Sequence, residues 1–160
     1  MEGVVISSVW RLLGWLPGFL LRRKFSTGWL REHTNIDVRA RHDPITIYGG
    51  ELPHIDICLT LTNNGHFEIE LDRLMFELLY GAATPSFPYL QRLLLLPGET
   101  KEVYIRGTLT EAQVKHIAKQ PKGNSYISFQ VKAEFNCKIA NFTVDTGQLT
   151  GINPRLVNII

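Results

Sequence analysis

From Ile36 onward the apolar side chains of this 160-residue chain recur at every second position, in short runs broken by Pro, Gly or Asn. A period of two puts alternate side chains on opposite faces of an extended strand, and a helix cannot keep such a set on one side. Ile36, Val38 and Ala40 alternate with Asp37, Arg39 and Arg41, and Pro44 stops the run. Ile55, Ile57, Leu59 and Leu61 share one phase of a strand over 55–62. Asn63-Asn64-Gly65 ends it, because Asn-Gly favours a tight turn. Phe67, Ile69 and Leu71 alternate with Glu68, Glu70 and Asp72; the stretch Leu74 to Tyr80 is less regular. Pro85 and Pro88 mark an irregular stretch or a sheet edge. A turn at Pro97-Gly98 leads to a strand whose inner face holds Val103, Ile105 and Leu109. Ile127 to Phe135 alternates over a long run, and Phe142 to Leu149 is expected to be the last strand, with Asn153-Pro154 beyond it. One helix interrupts the strands: Thr110-Glu111-Ala112-Gln113 has capping-box spacing and opens a helix over 111–118, stopped before Pro121. About seven or eight short strands with regular turns indicate an antiparallel sandwich or barrel, and a single helix does not make an α/β fold.

The first 25 residues follow another rule. Val4 to Leu21 carries one charge, Arg11. On a helix, Ser7, Ser8, Arg11 and Gly14 gather on one side, and Val5, Ile6, Val9, Trp10, Leu12, Leu13 and Leu16 cover the other. Pro17 and Gly18 should end or kink that helix. Phe19, Leu20 and then Arg22-Arg23-Lys24 follow. A secretory signal needs a basic start and a small-residue cleavage site, and this chain begins Met-Glu. A span needs about 20 apolar residues, a length that Arg11, Pro17 and the glycines interrupt. An interfacial helix would set Trp10 and Trp15 at headgroup depth, with Arg22, Arg23 and Lys24 against anionic lipid. A helix docked on its own domain or on a partner subunit is the fourth reading. If the segment spans, its basic flank places the C-terminal domain in the cytoplasm.

Charge is balanced overall, with 17 basic and 15 acidic residues and a net charge of +2. That balance does not call for nucleic acid, and Arg39, Arg41, Arg73, Arg92, Lys101, Arg106 and Lys132 are spread among acids rather than clustered with exposed aromatics. The local exception is the start, where Arg11, Arg22, Arg23, Lys24 and Arg31 meet only Glu2 before Glu32. Cys58 and Cys137 fall on opposite strand phases, which argues against a bridge between sheets; two free thiols suit a reducing compartment. His42-Asp43 and His54-x-Asp56 pair a histidine with a carboxylate, and His54 and Asp56 share a strand face. A metal site needs three or four converging ligands, and the reading here is a solvated face with no cofactor. No nucleophile elbow, phosphate loop or zinc-protease motif is present, so catalysis is not expected. Asn141-Phe142-Thr143 is a glycosylation pattern that matters only outside the cytosol.

Leu93-Leu94-Leu95-Leu96 cannot bury all four side chains in a one-sided core. The run is either covered on both faces or presents apolar surface to a partner, lipid or ligand.

The segment Ile55-Asp-Ile-Cys-Leu-Thr-Leu-Thr-Asn-Asn, then Ile69 to Tyr80, then Leu95-Leu-Pro-Gly-Glu-Thr with Val103-Tyr-Ile-Arg, resembles the late-embryogenesis-abundant group 2 and WHy (water stress and hypersensitive response) domains. Leu71 to Leu78 matches that family's Leu-x-x-Leu/Met-x-Phe/Tyr-x-Leu segment, while Asn63-Asn64-Gly65 stands where many members have Asn-Pro. The resemblance implies an immunoglobulin-like or fibronectin-like sandwich, membrane anchoring by an N-terminal apolar segment, and no catalytic residues. The resulting expectation has three zones: a membrane-seeking helix over 1–25, a connector over 26–34 and an all-β sandwich over 35–160. The sandwich would serve as an interaction or scaffold subunit at a membrane surface or on a membrane protein, in a homo- or hetero-oligomer. Val5, Ile6, Val9, Trp10, Leu12, Leu13, Trp15, Leu16, Phe19, Leu20, Arg22, Arg23 and Lys24 would make the attachment. The alternatives are a carrier of lipid or another apolar ligand at Leu93–Leu96, and a metal-dependent hydrolase at His54 and Asp56.

Overall fold

The computed structural model describes residues 15–39, 41–81, 83–120 and 127–159. Two five-stranded sheets pack face to face as a β-sandwich. The first is built on β3 (His54–Asn63), whose one edge pairs with β7 (Thr100–Thr108) along nearly its whole length. The other edge is shared. β2 (Ile45–Tyr48) covers its first half, and β1 (Thr34–Asp37) covers its second. β10 (Arg155–Val157) lies outside β2 and runs parallel to it. The second sheet repeats this plan around β4 (Ile69–Tyr80). β8 (Ile127–Cys137) takes one edge, and β5 (Ser86–Tyr89) and β6 (Leu93–Leu95) divide the other. β9 (Phe142–Asp145) pairs with β8.

The alternation does what the sequence demands. Ile55, Ile57, Leu59 and Leu61 of β3 are buried against Leu71, Phe76, Phe129, Val131 and Phe135 of the facing sheet. The irregularity between Leu71 and Leu74 is a bulge. Leu71 sits opposite Phe135 and Arg73 opposite Glu134, so Asp72 is one residue more than the partner strand supplies. The extra residue switches the buried set from odd to even numbers, and a single strand keeps Ile69, Leu71, Leu74, Phe76, Leu78 and Tyr80 inside. Gly107 faces inward from β7, and a β-carbon there would overlap the Phe87 ring of β5. The missing side chain is what lets that ring enter the core.

A helix α3 (Glu111–Ala118) links β7 to β8 and buries Val114 and Ile117. Its capping box is formed. The Thr110 hydroxyl accepts from Gln113 N, and the Gln113 side chain accepts from Thr110 N.

The observed elements differ from the expected ones at several points. The stretch 26–34, read as a connector, contains helix α2 (Thr27–Glu32), capped by Ser26, whose hydroxyl accepts from Trp29 N. The first edge strand runs over Thr34–Asp37 rather than through Ala40, which lies outside the described residues. The last strand is not Phe142–Leu149. β9 stops at Asp145, Leu149 makes a single bridge to Phe129, and the chain goes on to β10. Of the two readings at Pro85 and Pro88, the edge holds: β5 spans Ser86–Tyr89 and, among the described residues, pairs only with β4.

Asn63, the last residue of β3, occupies an apolar phase and is 1% exposed. Its amide nitrogen donates to Phe67 O (2.8 Å) and Leu95 O (3.1 Å), and its Oδ1 accepts from Gly65 N (2.9 Å). Its backbone accepts from Gly98 N and donates to Glu99 O. One side chain thus closes the β3–β4 turn and ties it to the end of β6. The neighbouring Asn64 N donates to His33 O, which fastens the end of α2 to the same turn.

Candidate functional site

The segment over 15–33 is seated on this end of the sandwich. Pro17 is extended (ψ 139°), as a proline break requires, and a single helical turn α1 (Gly18–Leu21) follows. Leu21, Phe25 and Leu30 are buried in the common core. Phe25 meets Trp29 and Phe67 edge-on with ring centroids 4.8 and 4.9 Å apart, and Trp29 stacks on His33 at 3.9 Å. Burying three such side chains is worth roughly 1.5–3 kcal/mol each as an upper bound, so the segment is a fixed part of the domain and not a tether. Gly18 approaches the Lys138 carbonyl so closely that a β-carbon would stand 3.0 Å from its oxygen. Arg22 Nε donates to Ile139 O at 2.6 Å.

What this seating leaves outside is apolar. Trp15 is 91% and Phe19 68% exposed, and Leu16 and Leu20 are exposed beside them. Many of the other bases are paired. Arg41, Arg73, Arg92, Lys101, Arg106, Lys115, Lys132 and Arg155 each pair with a carboxylate. Arg22, Arg23, Lys24 and Arg31, like Arg39 and Lys119, form no salt bridge among the described residues. The remaining residues of the expected attachment, Val5, Ile6, Val9, Trp10, Leu12 and Leu13, lie outside the described residues. No helix among the described residues is long and apolar enough to cross a membrane.

A cleft of about 530 Å³ opens where this segment meets the β8–β9 turn. Arg22, Ser26 and Thr27 line one wall; Cys137, Ile139 and Asn141 line the other. Burial pushes the Cys137 thiol up, so it is a neutral wall.

A second groove, of about 490 Å³, lies on the outer face of β2, β3 and β7 among Arg41, Asp43, Asp56, Cys58, Tyr104 and Arg106. Its charges are already matched. Arg106 grips Asp56 with two bonds (2.7 and 2.8 Å), and the guanidinium holds that carboxyl below its usual range. Arg41 bonds Glu102 and stands 5.3 Å over the Tyr104 ring. The Tyr104 hydroxyl donates to Glu102, which pushes the phenol up to about 12. Cys58, on the strand phase opposite Ile57 and Leu59, is also buried, and burial raises its thiol. It and Cys137 are not bridged.

His54 and Asp56 share the outward face of β3 but are held elsewhere. His54 Nδ1 contacts Leu52 O and its ring stacks on Tyr48 at 4.5 Å, while Asp56 belongs to Arg106. Asp43 of the other pair meets Arg155. Among the described residues no three His, Cys, Asp or Glu side chains converge as metal ligands. The leucine run divides by strand phase. Leu95 is buried, Leu93 half-buried, and Leu94 and Leu96 exposed. None of these four lines either groove. A further groove of about 360 Å³ lies among Gly50, Glu51, Pro53, Glu111 and Lys115 beside α3.

Sequence reasoning missed the cleft. Its two walls are separated by more than a hundred residues, as the Arg22–Ile139 bond shows, and no local pattern reports that approach.

No family model matches the sequence, and no curated protein matches it. Among solved structures, the X-ray structure of Northeast Structural Genomics Consortium target SoR45 superposes with a TM-score of 0.54 at 8% identity, over 75% of this chain and 86% of that one. This likeness shows the fold alone. The putative ApaA protein from Bordetella pertussis (TM-score 0.44, 15% identity, 72% and 86% covered) and the sporulation control protein Spo0M from Bacillus subtilis (TM-score 0.40, 10% identity, 79% and 49% covered) are looser matches.

Proposed function

We propose that this β-sandwich is a non-enzymatic interaction or scaffold subunit that sits on a membrane surface through its N-terminal segment. One observation carries the reading: Trp15, Leu16, Phe19 and Leu20 are exposed directly before Arg22, Arg23 and Lys24, whose charges no carboxylate among the described residues offsets. Indole and apolar side chains at headgroup depth with basic groups beside them are what an anionic bilayer surface takes up. The core positions of Leu21 and Phe25 support a rigid attachment that fixes how the sandwich stands on the bilayer. The cytoplasmic leaflet is the anionic one, so an interfacial attachment through these bases would put the sandwich on the cytoplasmic side.

The immunoglobulin- or fibronectin-like and WHy-like assignment belongs to the same proposal. It is supported by β3 ending at Asn63, by Leu71–Leu78 lying within one strand, by the Pro97-Gly98 turn into β7 and by α3 after it. The non-catalytic part rests on the outer-face groove, where guanidinium groups hold Asp43, Asp56 and Glu102.

Removing residues 1–25 would also strip Leu21 and Phe25 from the core, so exposed positions make the sharper test. The triple substitution W15S/F19S/L20S should leave the melting temperature unchanged and cut binding of the full chain to phosphatidylserine-containing vesicles more than tenfold, about 1.4 kcal/mol. Equal sedimentation of the two proteins with such vesicles would end the attachment reading.

A further inference from the structure

These three grooves differ in charge. The outer-face groove holds Asp43 and Asp56, and the one beside α3 holds Glu51 and Glu111. Among the described residues, no carboxylate lines the cleft between the N-terminal segment and the β8–β9 turn. The cleft offers a guanidinium at Arg22, hydroxyls at Ser26 and Thr27, and an amide at Asn141. The Ser26 oxygen already accepts from Trp29 N, which leaves its O–H to donate. Arg22 Nε is bonded to Ile139 O, which pins the guanidinium at the cleft. Arg23 and Lys24 continue the positive charge without an acidic partner among the described residues.

We propose that this cleft seats the phosphate of an anionic lipid headgroup. The inference rests on the bilayer reading above and specifies it: the apolar side chains supply depth, and the cleft supplies selection among lipids. A tetrahedral phosphate takes several donors at once, and Arg recognises it with parallel N–H bonds. A volume of about 530 Å³ admits a glycerophosphate group. The bilayer, rather than a soluble phosphate, is the source because the cleft adjoins exposed Phe19 and Leu20 through the turn that ends at Arg22.

The test uses the full chain and three charge-matched variants. Thr27→Glu and Asn141→Asp each put a carboxylate into the cleft at an exposed position. A carboxylate in the first turn of α2 is compatible with the helix, so Thr27→Glu should fold. Asn35→Asp adds the same charge at an exposed position of β1 outside the cleft lining. Sedimentation with phosphatidylcholine vesicles, with and without phosphatidylserine, reads neutral binding and anionic preference separately. The wild type should bind both and favour the anionic vesicles. Thr27→Glu and Asn141→Asp should lose that preference by tenfold or more while keeping neutral binding, and Asn35→Asp should stay within about twofold of wild type because its charge is solvated. Equal loss by all three variants, or no loss in the two cleft variants, overturns the cleft and leaves the bilayer reading intact. No vesicle binding by the wild type removes the bilayer reading itself. Stoichiometric binding of free glycerol phosphate without vesicles overturns the assignment to lipid.

Discussion

Replacing Asn63 should unfasten the end of the sandwich that carries the N-terminal segment. In Asn63→Ala, three hydrogen bonds disappear, and the carbonyls of Phe67 and Leu95 and the N–H of Gly65 lose their partner. A net bond is worth about 1 kcal/mol and a buried group left without a partner costs about 1–3, so the variant should lose roughly 3–5 kcal/mol. With a urea slope of about 2 kcal/mol/M, that moves the unfolding midpoint down by ~1.5–2.5 M. Asn63→Asp keeps the shape but offers oxygen where nitrogen donated, opposite two carbonyl oxygens. Buried without a cation, that carboxyl titrates above its unfolded value, so the variant should lose further stability as pH rises from about 4. Asn64→Ala, at an exposed side chain, should stay within about 0.5 kcal/mol of wild type. Urea titrations followed by tryptophan fluorescence are apt, since Trp29 lies against the same turn, 3.6 Å from the position of a β-carbon on Gly65. Loss of under about 1 kcal/mol in both Asn63 variants would refute the clamp.

Two further outcomes follow from the packing. Gly107→Ala drives a β-carbon into the Phe87 ring and should cost about 1–3 kcal/mol; adding Phe87→Leu should return about 1 kcal/mol of it, whereas strictly additive losses would contradict the close approach. Burial, reinforced by neighbouring His33, holds the His66 imidazole below its ordinary value. The unfolded chain then binds a proton the native state resists, so stability is complete above about pH 6.5 and declines as pH falls. His66→Phe should flatten the melting-temperature profile between about pH 6.5 and 5, and an unchanged slope there would exclude His66 as its source.

Much of this protein is written locally. Strand β3 and its end at Asn63, the turn at Pro97-Gly98, the long strand β8 and the capped helix α3 each follow from side-chain period or from residues within one turn, because strand phase and helix capping are decided by near neighbours. The run of exposed apolar residues before Arg22-Arg23-Lys24 is equally legible. Other features needed the partner strands. The count at Asp72 is a bulge only because β8 supplies one residue fewer, so Phe67–Leu71 and Leu74–Tyr80 read as two segments until they are paired. Residues 26–34 have the composition of a connector, and only the aromatic rings of Phe25, Phe67 and Trp29 meeting over the β3–β4 turn make them a docked helix. The parallel partner of β2 arrives from the C-terminus, and Arg22 meets Ile139 across most of the chain. Such contacts are selected by the shape of the assembled core, which no window of neighbouring residues contains.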